Sequence, residues 1–138
     1  MKTVNKSVLL VVLAMTWVGC TSSICDRDFY VEVSELEMLK EAEMLQCEDK
    51  LDWYSVAVFQ LTDAQVRELL DSGDFEPVRS SVEMVNYPIR WVNKIFENVD
   101  QLSTSSFEYS KKVSGQLALK EDVKLLAVFI TYPDWSGD

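Results

Sequence analysis

Cys20, Cys25 and Cys47 are the only thiols in a chain of 138 residues that contains no histidine. Three chemistries are open to such cysteines: a disulfide, a metal clip, or separate roles. Without imidazole there is no Ser-His-Asp or Cys-His pair, no ordinary general base near neutrality, and no usual zinc or copper ligand. Two thiolates without histidine make an incomplete zinc site. A pair of acids can still run glycoside hydrolysis. With 23 Asp and Glu in the chain, however, pairs such as Glu35 and Glu37 arise at almost any spacing, and a solvated acidic face accounts for them. No glycine-rich phosphate loop is present. The residue inventory points to a binding or structural protein, not an enzyme, with no cofactor, no metal and no small-molecule substrate.

The length suits one domain, and 48% hydrophobic with 26% charged residues is the composition of a folded chain. The formal charge is −10, and every acid lies beyond Cys25. Such a body is repelled by nucleic acid and by anionic membrane surfaces, both of which recruit clustered Lys and Arg. Nucleic-acid binding is therefore not expected.

The N-terminus has a different character. Lys2 and Lys6 precede "VLLVVLAMTWVGC", Val8 to Cys20, which carries no charge and is too short to span a bilayer. This is the pattern of a secretory signal, here residues 1–19. Its end, "WVGC", is similar to a bacterial lipobox, in which the cysteine thiol receives a diacylglycerol. Val18, Gly19 and Cys20 fit that pattern, whereas Trp17 stands where an aliphatic residue is usual. Ordinary signal-peptide cleavage is the alternative. On the lipobox reading Cys20 is the lipidated N-terminus, held in the membrane by its acyl chains. Thr21 is not the Asp of inner-membrane retention, so the outer membrane is the expected address. Residues 20–27 then form a tether and 28–138 the folded domain. Cys25 and Cys47 are left as an even pair in an oxidising compartment. A disulfide closing that loop would contribute roughly 3 kcal/mol, with two free thiols as the alternative.

The elements that must position these residues follow from periodicity. "FYVEV", Phe29 to Val33, alternates and predicts a strand. In "SELEMLKEAEMLQC" Leu36, Leu39, Ala42 and Leu45 recur at every third position behind a Ser34/Glu37 capping box, which predicts a helix. "DWYSVAVFQL", Asp52 to Leu61, predicts a strand buried on both faces. Thr62 and Gln65 cap a further helix that Gly73 closes. "NYPIRWVNKIFENVDQL" predicts another helix carrying Ile89, Val92, Phe96 and Val99, with Trp91 on its core side or serving as a partner anchor. "SSFEYSKKV", "GQLALKED" and "KLLAVFITY" predict three strands, with Gly115 as the turn between the first two.

In this order, behind a lipobox, the elements resemble the TssJ (SciN) family, the outer-membrane lipoproteins of type VI secretion systems. The resemblance rests on a V-x-V-(Y/F)-Q-L strand followed by x-D and a helix, here Val56, Val58, Phe59, Gln60, Leu61 and Asp63. A late L-x-V-x-x-x-Y-x-D strand adds Leu126, Val128, Tyr132 and Asp134. The resemblance implies an α+β, mainly β fold: a transthyretin-like two-sheet β-sandwich with additional helices. It also implies a non-enzymatic role, in which the lipid-anchored protein faces the periplasm and docks the periplasmic part of a large inner-membrane TssM-like protein. The contact in the family is made by the loop between the first two strands, here Ser34 to Trp53. By position alone this offers Glu35, Glu37, Met38, Glu41, Met44, Asp49 and Trp53. That segment is longer and more helical than the family's, and a Cys25–Cys47 bond would pin it near the tether. The family also continues past its Y-x-D strand, where this chain has "WSGD": either the chain is truncated relative to the family, or a diverged sandwich closes otherwise and leaves a sheet edge open to a partner.

Overall fold

The structure, a computed structural model, describes residues 25–50, 53–79, 90–110 and 113–132. The signal segment, Cys20, the tether as far as residue 24, the expected helix start at Pro88 and Ile89, and the closing "PDWSGD" with Asp134 lie outside these residues. The elements in chain order are α1 (Arg27–Ser34), a 3-10 helix (Glu37–Lys40), β1 (Glu43–Asp49), β2 (Tyr54–Gln60), α2 (Asp63–Asp71), a short β3 (Glu76–Pro77), α3 (Arg90–Ile95), β4 (Leu102–Ser110), β5 (Val113–Lys120) and β6 (Leu125–Thr131).

The strands form one antiparallel six-stranded sheet in the order β1-β2-β6-β5-β4-β3. An α+β, mainly β fold is therefore present. The expected second sheet is not among the described strands, and helices cover the two faces instead. The alternation in β2 shows why. Ala57 and Phe59 face a cluster built with Tyr30, Val31 and Val33 of α1, Leu39, and Val66 and Leu69 of α2. Tyr54, Val56 and Val58 face a second cluster with Val92, Phe96, Leu102 and Phe129. Tyr54 through Phe59 are all buried, so β2 reads as a near-continuous apolar run.

Several local expectations hold. Thr62 and Gln65 form the capping box, with Gln65 N–H donating to Thr62 Oγ1 at 3.2 Å and Thr62 N–H donating to Gln65 Oε1 at 2.9 Å. Gly73, at φ +77°, takes the left-handed turn that ends α2, where a β-carbon would be strained. The three late strands are present as β4, β5 and β6.

Other expectations are overturned. "FYVEV" lies inside α1 and is not a strand. Tyr30, Val31, Val33 and Ser34 are its buried positions, a helical spacing, and the Asp26 carboxylate caps the helix by accepting Asp28 N–H at 3.0 Å. Five residues are too few for a period of two to exclude a period of 3.6. Ser34 is the last residue of α1 and not the cap of the next helix: its hydroxyl donates back to Tyr30 O at 2.6 Å. The expected helix over "SELEMLKEAEMLQC" is a single 3-10 turn that gives way to β1. Every-third-position spacing drifts around an α-helix, whereas residues 43–49 satisfy the open edge of β2. A bulge between Met44 and Gln46 leaves Leu45 48% exposed on that edge.

The helix expected over Asn86 to Leu102 is helical among the described residues only across α3. Leu102 already belongs to β4, although Val92 and Phe96 are fully buried and Val99 packs against the same cluster. The Trp91 side chain lies outside what is described. Gly115 is not a turn residue. It sits within β5 opposite Phe107, and a β-carbon there would collide with the Phe107 ring and lie 2.5 Å from the Phe129 carbonyl.

Cys25 and Cys47 are bonded, with Cα atoms 6.1 Å apart, tying the start of α1 to edge strand β1. The bond spans 22 positions, for which loop-closure entropy gives roughly 3 kcal/mol. Replacing both cysteines by serine should lower the urea midpoint by that equivalent while leaving the far-UV spectrum unchanged. An unchanged midpoint would show that packing alone holds α1.

Candidate functional site

The surface expected to meet a partner, Ser34 to Trp53, is not a loop between two strands. It contains the end of α1, the 3-10 helix and β1, and each part has its own anchor. Crossing one face of the sheet, α1 bonds β1 through Cys25 and reaches β2 through Tyr30, whose hydroxyl is 2.5 Å from Ser55 Oγ. It reaches β4 through Glu32, whose carboxylate accepts from Tyr109 Oη at 2.6 Å. Burial pushes the Tyr30 phenol up to about 12, against a smaller downward pull from the Ser55 hydrogen bond. The 3-10 helix is held to α2 by Gln65 Nε2, which donates to Met38 O at 3.3 Å.

These anchors divide the seven expected contact residues. Glu35 is exposed and adopts φ +59°, the left-handed residue that ends α1. Glu37 is exposed and pairs with Lys40, and Glu41 is exposed just after the 3-10 helix. Met38 is half-buried. Met44 is also half-buried and packs against the first cluster. Asp49 and Trp53 lie at the far end of β1, roughly 20 Å away along a seven-residue strand. Trp53 is 58% exposed there, and its carbonyl accepts Tyr132 N–H at 3.0 Å. The seven residues therefore form two patches rather than one surface.

The Glu35 and Met38 patch borders a groove of about 700 Å³ between the end of α1, α2 and the β4 side of the sheet. Its apolar lining is Leu36, Leu69, Phe75, Phe107 and Leu117, interspersed with the hydroxyl residues Ser34, Ser72, Thr104, Ser105 and Ser106. Its rim carries Glu35, Glu68, Asp74 and Glu76, all exposed. No Lys or Arg lines it among the described residues, and none of the four rim acids takes part in an ion pair there. Of these residues, Glu68, Phe75, Asp74, Glu76 and Phe107 were not singled out by position in the sequence. The available signal is "DSGDFEP", Asp71 to Pro77, where three acids flank a lone phenylalanine just after the glycine that ends α2.

Elsewhere the charged groups serve the fold. Lys120 is buried, donates to Asp100 O and lies 3.3 Å from Asp122 Oδ1, which ties the turn before β4 to the turn after β5. Gln60 Nε2 donates to Val123 O and Lys124 O at 3.1 and 3.0 Å, and Lys124 Nζ pairs with Asp63 Oδ1 at 3.2 Å. Among the described residues, no cluster of three His, Cys, Asp or Glu side chains is placed to hold a metal, and no helix is long and apolar enough to cross a membrane. No family model, curated protein or solved structure matches this chain.

The raised Tyr30 phenol sets a pH window for stability. Folded Tyr30 keeps its proton up to about pH 12, whereas an unfolded tyrosine releases it near pH 10. Above the lower value the unfolded chain binds fewer protons, so alkali favours unfolding. The Tyr30 contribution is complete below about pH 10 and is lost as pH rises through about 12. Urea unfolding across that window should show a steeper alkaline loss for the native chain than for Tyr30→Phe. Parallel losses would mean that Tyr30 does not hold its proton as its burial requires.

Proposed function

We propose that the chain is a lipoprotein anchored through Cys20 in the outer membrane. Facing the periplasm, it docks the periplasmic part of an inner-membrane, TssM-like type VI secretion protein, which builds the trans-envelope complex. It works by binding and not by catalysis. The reading is carried by the placement of the two motif stretches. Val56–Leu61 and Leu126–Tyr132 fall on neighbouring strands, β2 and β6, with Val56 opposite Phe129 and Val58 opposite Ala127. The motif residues Gln60 and Asp63 both hold the turn that precedes β6. The two motif stretches thus pair along their backbones, and the polar residues of the first also hold the turn that leads into the second, which supports the reading beyond their order in the chain.

The transthyretin-like two-sheet architecture belongs to this proposal also, whereas the described strands form a single sheet with helices on both faces. That same observation favours a second reading, a periplasm-facing lipoprotein that acts as a binding module or inhibitor with no secretion role. The two share the anchor and differ in partner.

Deleting the gene should abolish contact-dependent effector delivery, and affinity purification from native membranes should return a large inner-membrane secretion protein. Normal delivery, with no such protein recovered, would leave the second reading. The Cys20→Ser variant should leave the outer-membrane fraction for the soluble periplasm. If it stays with the membrane, the lipid anchor is wrong whichever partner is found.

A further inference from the structure

The groove beside Glu35 and Met38 combines two properties that rarely persist together on a solvated surface. Its floor presents Leu36, Phe75 and Phe107, each only half-buried, against buried Leu69 and Leu117. Its rim sets four carboxylates around that floor with no cation among the described lining residues. An apolar ligand alone would leave those charges uncompensated and partly desolvated, a costly state. An anionic ligand would be repelled, and a second copy of this chain, itself carrying −10, brings the wrong sign. We propose that the groove binds a basic segment of a partner protein in which Lys or Arg residues are interspersed with large aliphatic ones. The aliphatic side chains cover Phe75, Phe107 and Leu117. The cations reach Glu35, Glu68, Asp74 and Glu76 while their methylene stems lie along the floor.

The groove is open along its rim, where the acids are exposed, which suits a chain segment laid across it better than an enclosed small molecule. Rigidity comes from two fixed walls. Gly115 allows the Phe107 ring to lie over β5, and the Gln65 to Met38 hydrogen bond holds the 3-10 helix to α2. The inference rests on this geometry and not on the secretion reading. Failure to recover a secretion partner would leave it standing, and failure of the groove would leave the docking role to other surfaces.

The test uses the full chain in a nonionic detergent and a short probe peptide of lysines and leucines spaced by serines, with one photo-activatable leucine. Crosslinks should map to Met38, Leu69, Phe75 and Phe107. They should weaken as salt is raised. Two control probes, one with glutamate for lysine and one with serine for all leucines but the reactive one, should label poorly. Glu68 and Asp74 are exposed, so Glu68→Lys with Asp74→Lys should fold normally by far-UV spectrum and thermal melting. That variant should lose about tenfold in labelling. Equal labelling by the lysine–serine probe would reduce the effect to bulk charge attraction and overturn the proposal. So would crosslinks outside the groove, labelling unchanged in the charge-reversed variant, or protein-to-protein crosslinks through the groove that compete with the probe.

Discussion

β2 and β6 are both buried on both faces, and that pairing imposes the architecture on the rest of the chain. Seven residue pairs, from Tyr54 with Thr131 to Gln60 with Leu125, join them in antiparallel register. With Val56, Val58, Ala127 and Phe129 on one side and Ala57, Phe59, Leu126, Val128 and Ile130 on the other, neither face can be left to water. Each fully buried large aliphatic or aromatic side chain contributes on the order of 1.5–3 kcal/mol. The exposed ion pairs, such as Lys40 with Glu37, are screened by solvent and contribute little beside that burial. The sheet therefore recruits α1, the 3-10 helix and α2 to one face and α3 to the other.

Covering the first face takes an element that the sequence pattern disguises. α1 is only eight residues long, below the length at which an isolated helix is stable in water, so its context must hold it. The Cys25–Cys47 bond fixes one end, and the buried Tyr30 hydroxyl finds Ser55 Oγ in the middle. Glu32 meets Tyr109 on the far side. Each contact joins residues at least 22 positions apart. This explains why "FYVEV" misleads: its helical state is decided by groups remote in sequence, and the Asp26 cap is the one local sign. β1 is the mirror case, in which a segment with helix-like spacing is drawn into extended form by the open edge of β2.

Where structure is set locally, the chain is legible. The Thr62/Gln65 box, Gly73 and the dense β-branched run of β2 each act within a few residues, and each appears where its pattern places it. The disulfide was legible as one of two outcomes: with Cys20 read as a lipidation site, Cys25 and Cys47 are left as a bonded pair or as two free thiols, and they are bonded. Gly115 shows the limit. A glycine in a polar stretch looks like a turn, yet its role is to admit the Phe107 ring from the neighbouring strand, a requirement that no window around residue 115 contains. The groove was legible in part. Glu35 and Met38 do border a concave site, but Glu68, Asp74, Phe75 and Phe107 join it only through the fold.

The groove itself follows from how the first face is covered. α1 crosses the first face from β2, which it meets through Tyr30, to β4, which it meets through Glu32 and Tyr109. Toward β3, where the edge is two residues long, the cover thins and Phe107 and Phe75 are left half-buried. Bare, such a floor invites self-association. The four rim acids oppose this, since two like-charged rims cannot close on each other without desolvating carboxylates. One arrangement thus disfavours the closing of two such rims on each other and suits the proposed chain of opposite sign. The local acidity of the groove is in this sense a condition for keeping its apolar floor open.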